Sequence, residues 1–316
     1  ASLAPSEMCI RDSHGALPWV VVWDDHEVAN DNWREGAENH TEGKEGAFLD
    51  RRKAAMQAYF EWMPVRATNP SEQGHLYRSL TFGDLVELTM MDLRTYRDEQ
   101  VRFGPHKMAA EGRTMLGSEQ YNWLLNKIET SSAKWNMLGN SVMFSPMNLA
   151  TLQKDDKTKP VSSSLSSNIT GIPVNGDQWD GYSAERRLLI DALSKHDAHT
   201  LFVTGDIHSE WAHNISKDGR IFGAELVCAS VSAPNVNEQL KLPEGNELSK
   251  LAERYLLGAN PHTRHVDLDH HGYSFVTVRP DSAEMHWLRV DNLLSAKSPV
   301  REAVTMTWRP GKGYTK

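Results

Sequence analysis

Apolar residues in this chain gather in short blocks that break off at polar or turn-forming positions. Trp19, Val20, Val21 and Val22, led in by Pro18, form a β-branched and aromatic run that predicts a buried strand. Leu201 to Thr204 predicts a second one. "LYRSLTFGDLVELTMMD" predicts two strands around a Gly83-Asp84 turn, and "KWNMLGNSVMF" and "GAELVCASVS" predict one each. "YSFVTVRPDSAEMHWLRV" reads as a hairpin turning at Pro280-Asp281. Helix formers dominate "GAFLDRRKAAMQAYFEWM", closed by Pro64, and "GSEQYNWLLNKIETSS", with Ser118 as cap. A third helix is predicted for "SAERRLLIDALSKH", capped by Ser183. Residues 151–178 are polar and rich in Ser, Lys and Asp, which predicts a surface insertion. Strands alternating with helices, then hairpins, suit an α/β layered sandwich built as one domain.

Two of the predicted strands end in unusual chemistry. "VVVWDDHEVANDNW" runs from apolar residues straight into Asp24, Asp25, His26 and Glu27. Adjacent carboxylates repel and raise each other's pKa unless a cation holds them. Carboxylate and imidazole are ligands for divalent and trivalent metals, and α/β sheets bind ligands beyond the carboxyl ends of their strands. "HTLFVTGDIHSEW" repeats the design: a strand, Gly205 to supply the unusual dihedrals of a kink, then Asp206 and His208. The second string alone reads equally well as a turn, and for the first the alternative is a solvated loop with an N-cap for the next helix. Together they offer Asp and His at two strand exits.

Composition narrows the classes. The 34 basic residues against 42 acidic ones, a net charge of −8, argue against a general nucleic-acid binder, though not against a local pocket for a phosphate. The two cysteines are Cys9 and Cys228, so a disulfide framework is excluded, and Cys228 reads as a small core hydrophobe. No apolar run approaches a transmembrane length. Trp179, Tyr182 and Trp211 read as core or pocket wall. The match Asn168-Ile169-Thr170 is too common a pattern to imply glycosylation.

"WDDHEVANDNW", "MDLRTYR", "WNMLGNSVMFSP", "DQWDGYSAERRLL", "TGDIHSEW" and "NPHTRHVDLDHHGY" occur in one order between Pro18 and about Val290. Taken together they resemble the PhoD-like alkaline phosphatases of the calcineurin-like metallophosphoesterase superfamily. The resemblance implies a four-layer α/β/β/α sandwich with metals at the strand ends, and a phosphoric-ester hydrolase acting on monoesters, diesters or both. "DDHE" falls on the superfamily's Asn-His block, which implies Asp25 as a metal ligand and His26 as the acid that protonates the leaving group. "GDIH" falls on its last block and implies Asp206 and His208 as ligands. Asn140 lies near a further ligand position, a hydrogen-bonded turn residue being the alternative. Arg94, in "MDLRTYR" with Asp92 and Arg97, is expected to bind phosphate or to support the residues that do, because a guanidinium grips paired oxygens as lysine cannot. Asn30 and Asn32 are placed to contact metal or phosphate, with helix capping as the alternative. His262 is a candidate for lining the site, and His270 and His271 read as structural.

The family further implies iron(III) with calcium, other divalent metals being compatible with the same donors. It implies attack by metal-bound water or hydroxide, small phosphoester substrates, a role in phosphate scavenging, and a periplasmic or extracellular location. Residues 1–13 do not fit: "SEMCIRDS" resembles a translated sequencing adaptor, which leaves residues 14–316 as the phosphatase domain. The family's first metal-binding Asp and its G-D-x-x-Y block are expected before "WDDHE", and neither is there. The reading is therefore a fold incomplete at its N-terminus. Two rival functions follow: a non-catalytic metal-binding fragment, and a metal-dependent hydrolase of a non-phosphate ester. Oligomeric state is not encoded in any readable pattern.

Overall fold

A computed structural model describes residues 13–63, 65–66, 74–101, 104–151, 171–173, 175–295 and 297–315. The expectations for residues 1–12, for Pro64, for Asn168 and for the centre of the polar insertion lie outside these. The chain divides into two compact units, residues 22–200 and residues 1–21 with 201–316.

In the unit 22–200, α1 (Phe48–Trp62) is followed by the hairpin β1 (Arg78–Phe82) and β2 (Val86–Met90). These two pair antiparallel around the predicted turn, where Gly83 takes φ +59°. After α2 (Pro105–Met108) and α3 (Gly117–Thr130) comes β3 (Trp135–Asn140), which pairs parallel to β2 with Met90 opposite Gly139. That parallel pairing sets the carboxyl ends of β2 and β3 side by side, so the turn after Met90 and Asn140 emerge at one edge. β4 (Asn148–Thr151) and β5 (Gly171–Pro173) form a small antiparallel pair, and α4 (Ser183–Leu193) closes the unit. Trp23, Leu93, Leu124, Trp135, Phe144, Trp179 and Tyr182 are buried here.

The other unit holds the strand order β6-β8-β7-β9 and a four-stranded antiparallel meander, β10 to β13. Their spans are β6 (His199–Thr204, which begins at the boundary), β7 (Glu210–Lys217), β8 (Arg220–Val227) and β9 (Thr263–Asp267). The meander runs through β10 (Gly272–Arg279), β11 (Ser282–Val290), β12 (Val300–Arg309) and β13 (Gly313–Thr315). Two short connections carry α5 (Val236–Gln239) and α6 (Glu247–Ala259). Aromatic donors stitch the meander to the other strands. Trp287 Nε1 donates to the Val227 carbonyl at 3.1 Å, and the Tyr314 hydroxyl to the Glu225 carbonyl at 3.0 Å. Mixed sheets and helices thus bear out the α/β class.

Four local expectations need correction. Residues 18–24 form no strand, and Trp19 and Val20 are 45% and 36% exposed. β-branched residues become a strand only where a neighbour completes the ladder, and no described strand does so here. Ser118 and Ser183 lie inside their helices and provide no side-chain cap. The Thr114 hydroxyl accepts from Gly117 N–H at 2.7 Å, and the Glu185 carboxylate accepts from Met115 N–H at 2.6 Å, so a chain crossing serves α3 where a serine was expected to. Gly205 is not the residue in the left-handed region: Asp206 and His208 are, at φ +71° and +51°. Asp and His tolerate that region far better than branched side chains do. The end of the polar stretch is not surface, since Gln178 is 1% exposed.

Candidate metal centre and its supports

The segment after Trp23 is a tight turn. The Asp25 carbonyl accepts from the N–H groups of Val28 and Ala29, each at 2.8 Å, and Glu27 reaches back to Asp24 N–H at 2.8 Å. Turning so soon keeps two acidic side chains together, each bringing a ligand oxygen within 4.8 Å of the other's. Asp25 is 4% exposed, and its Oδ2 accepts from Asp31 N–H at 2.8 Å. Its Oδ1 lies 4.0 Å from His26 Nε2. That ring is 81% exposed and points into solvent. Asn30 donates to Glu38 at 2.6 Å. Asn32 is buried, and its side-chain Oδ1 has no hydrogen-bond partner among the described residues.

Asp24 is neutralised from behind. Asp92, after β2, accepts from the N–H groups of Arg94 and Thr95 at 3.1 and 3.0 Å, an Asx-type turn that directs Arg94 inward. Arg94 is fully buried and grips two acids: Nε donates to Asp24 Oδ1 at 2.6 Å, and Nη1 to both oxygens of Asp177 at 2.9 and 3.0 Å. Arg97 adds Nη2 to Asp177 Oδ1 at 2.7 Å and Nε to the Asn32 carbonyl at 2.8 Å. Burial pushes the Asp177 carboxyl up, but the two guanidiniums outweigh it and hold it below the usual range. Asp31, at φ +52°, goes the other way: burial and then repulsion from Asp177 raise it.

Asn140, at the end of β3, spends its carboxamide within the protein. Nδ2 donates to the Val142 carbonyl, and Oδ1 accepts from Trp179 Nε1 at 3.0 Å. A cavity of about 890 Å³ opens beside α1, lined by Arg52, Lys53, His75 and Tyr96 among others, and none of the candidate residues lines it.

In the unit 201–316, Asp206 and His208 stand on the kink after β6, and His208 Nδ1 lies 3.0 Å from the Pro234 carbonyl. His262 sits 5.4 Å from the ring of His213. His213 is fully buried, and burial followed by repulsion from His262 and His265 lowers its pKa well below the ordinary value. His270 is 2.8 Å from Asp267 and 3.0 Å from Glu244, and His271 is 2.9 Å from Glu238. Both rings are thus held against carboxylates within this unit.

A metal ion suits the first unit's donors on chemical grounds. Asp25 is a buried carboxylate with one oxygen unmatched by any cation among the described residues, an arrangement that is costly unless a positive charge joins it. Hard oxygen donors of this kind suit calcium, iron(III) and similar ions. Sequence reasoning missed Asp177 and the clamp around it. Composition placed that residue at the end of a surface loop, yet it opens the "DQWDGYSAERRLL" block, where a signal was present.

Residues 4–287 match the family model described as PhoD-like phosphatase. Alkaline phosphatase D of Bacillus subtilis (strain 168) is 35% identical over 291 residues, which are 87% of this chain and 44% of that protein. A solved structure titled "Structure of PhoD" superposes with a TM-score of 0.78 at 28% identity, covering 97% of this chain and 56% of its own. The chain thus spans about half the length of these relatives.

Proposed function

This chain belongs to the PhoD-like phosphatase family, and from that membership we propose that it is a metal-dependent phosphoric-ester hydrolase. The observation that supports this most is Asp25, a buried carboxylate in the turn after Trp23 whose Oδ1 is paired with no lysine or arginine among the described residues. In this reading Asp25, Asp206 and His208 are metal ligands, with Asn140 a further candidate already bonded to Trp179 and Val142. The ions, when bound, supply positive charge to the phosphoryl oxygens and acidify water.

The protein's own residues then divide the work. Asp24 and Asp25 concentrate negative charge, and Arg94 offsets Asp24 so that the pair can coexist before any ion arrives. Because Arg94 is committed to Asp24 and Asp177, its part is to orient those carboxylates rather than to grip substrate. His26 stands exposed, where its ring can hand a proton to a departing alkoxide, a contribution of roughly 10²–10⁴-fold. Asn30 and His262 complete the proposed lining. Iron(III) with calcium, phosphomonoester and phosphodiester substrates, phosphate scavenging, a periplasmic or extracellular site and the four-layer sandwich belong to the same proposal.

The test is hydrolysis of p-nitrophenyl phosphate and bis(p-nitrophenyl) phosphate by the full chain, before and after chelation and with added iron or calcium. Turnover that chelation abolishes, that metal restores, and that Asp25→Asn and His208→Gln each cut at least a hundredfold is the expected result. Activity surviving chelation, or unchanged in both variants, would defeat the proposal.

A further inference from the structure

The block "DLDHHGY" has no part in the proposed chemistry, yet its residues hold a backbone group that meets His208, the Pro234 carbonyl. The Pro234 carbonyl, 3.0 Å from His208 Nδ1, can only accept a hydrogen bond, so Nδ1 is the nitrogen that carries the proton. That leaves Nε2 as the nitrogen presented outward. His208 also stands at φ +51°, a backbone state that persists only when its surroundings over-determine it.

What fixes the Pro234 carbonyl is the next residue. Asn235 is fully buried, and its Nδ2 donates to the Asp269 carbonyl at 2.9 Å. Its own N–H donates to Glu238 Oε2 at 3.0 Å, and that oxygen also meets His271 Nε2 at 2.9 Å. Upstream, the Ser230 carbonyl accepts from Gly272 N–H at 3.1 Å and lies 3.2 Å from His271 Nδ1. Residues 230–238 are therefore tied at both ends to residues 269–272, with Pro234 at the crest. Gln239 Nε2 donates to the same Pro234 carbonyl at 3.2 Å, which steadies it from a third direction.

We infer that Asn235 is a positioning residue for His208: anchored on Asp269, it holds the Pro234 carbonyl where it locks the His208 imidazole in the Nδ1–H tautomer with Nε2 offered to a metal. The inference rests on the reading of His208 as a ligand. Hydrogen-bonded supports of metal-binding histidines typically change metal affinity 10- to 100-fold when removed. Asn235→Ser separates two roles. Serine keeps the main-chain N–H that meets Glu238 but has no amide to give Asp269.

The experiment is a long-range ¹H–¹⁵N correlation on the chelated full chain labelled with ¹⁵N-histidine, near pH 8, with His208 assigned by its loss in His208→Gln. The wild type is expected to show His208 as the Nδ1–H tautomer. Asn235→Ser should convert it to a mixture rich in Nε2–H and weaken Mn²⁺ or Zn²⁺ binding by 10- to 100-fold. A wild-type His208 carrying its proton on Nε2 overturns the inference without any variant. So does an unchanged tautomer in folded Asn235→Ser. If the tautomer shifts as stated while His208→Gln binds metal as tightly as the wild type, the positioning stands and the ligand assignment of His208 falls.

Discussion

Replacing Arg94 with methionine keeps the length and apolar stem of the side chain and removes its fork. The structure sets the size of the effect. Arg94 makes one contact to Asp24 at 2.6 Å and two to Asp177 at 2.9 and 3.0 Å, from a site with no exposure. Removing one partner of a buried ion pair costs about 3–5 kcal/mol, because the other charge is left without compensation. Asp177 retains Arg97 at 2.7 Å, and the Asp24 side chain is 29% exposed, so the lower end, about 3 kcal/mol, is expected. The assay is urea unfolding of the metal-free protein, read against Asp177→Asn and the double variant. Because Arg94→Met and Asp177→Asn remove the same contact, the double variant should lose clearly less than the sum. The pH dependence carries a sign: the Asp177 carboxyl is held below its unfolded value, so its stabilisation is full above about pH 4 and fades as pH falls further. In Arg94→Met that acid-side loss should shrink. In the metal-loaded protein, Arg94→Met should lower metal affinity and leave KM at saturating metal nearly unchanged. A large rise in KM with metal affinity intact would refute the clamp and restore Arg94 as a phosphate-binding residue.

The remaining predictions concern the other unit. The hydrogen bond to Asp267 raises the pKa of His270, so its stabilisation is full below about pH 6 and is lost as pH rises through the folded value. The gap in melting temperature between wild type and His270→Gln should therefore narrow from pH 6 to pH 9; a gap that widens contradicts it. A Cβ on Gly272 would lie 1.9 Å from the Leu288 carbonyl of the paired strand, a backbone clash no rotamer relieves. Gly272→Ala should destabilise by about 3 kcal/mol or more in thermal unfolding, and a loss below about 1 kcal/mol would show that β10 and β11 sit further apart.

Much of the fold was legible because its signals are local. The Gly83-Asp84 and Pro280-Asp281 turns, the three main helices and the strand from Trp135 follow from turn chemistry and patterning, which act within a few residues. The errors fall where a distant partner decides. Trp19 to Val22 has strand propensity but no described ladder, and α3 is served by Thr114 and Glu185 rather than by its own serine. The carboxylates at 24 and 25 and the Asp-x-His kink could be read as strings. The clamp could not, because Arg94 meets Asp177 across 83 positions and composition made that stretch look like surface. Left-handed Asp206 and His208 were masked by the glycine beside them, the residue usually credited with such a turn.

Most open to direct test is the proposal that the adjacent carboxylates of Asp24 and Asp25 serve one metal ion. Its most direct test is calorimetric titration of the chelated chain with iron or calcium in the wild type, Asp24→Asn, Asp25→Asn and the double variant. If the two carboxylates share an ion, each single change weakens the same binding event and the double variant loses clearly less than the sum of the two. Fully additive losses, or a wild type that takes up no metal, would contradict the account.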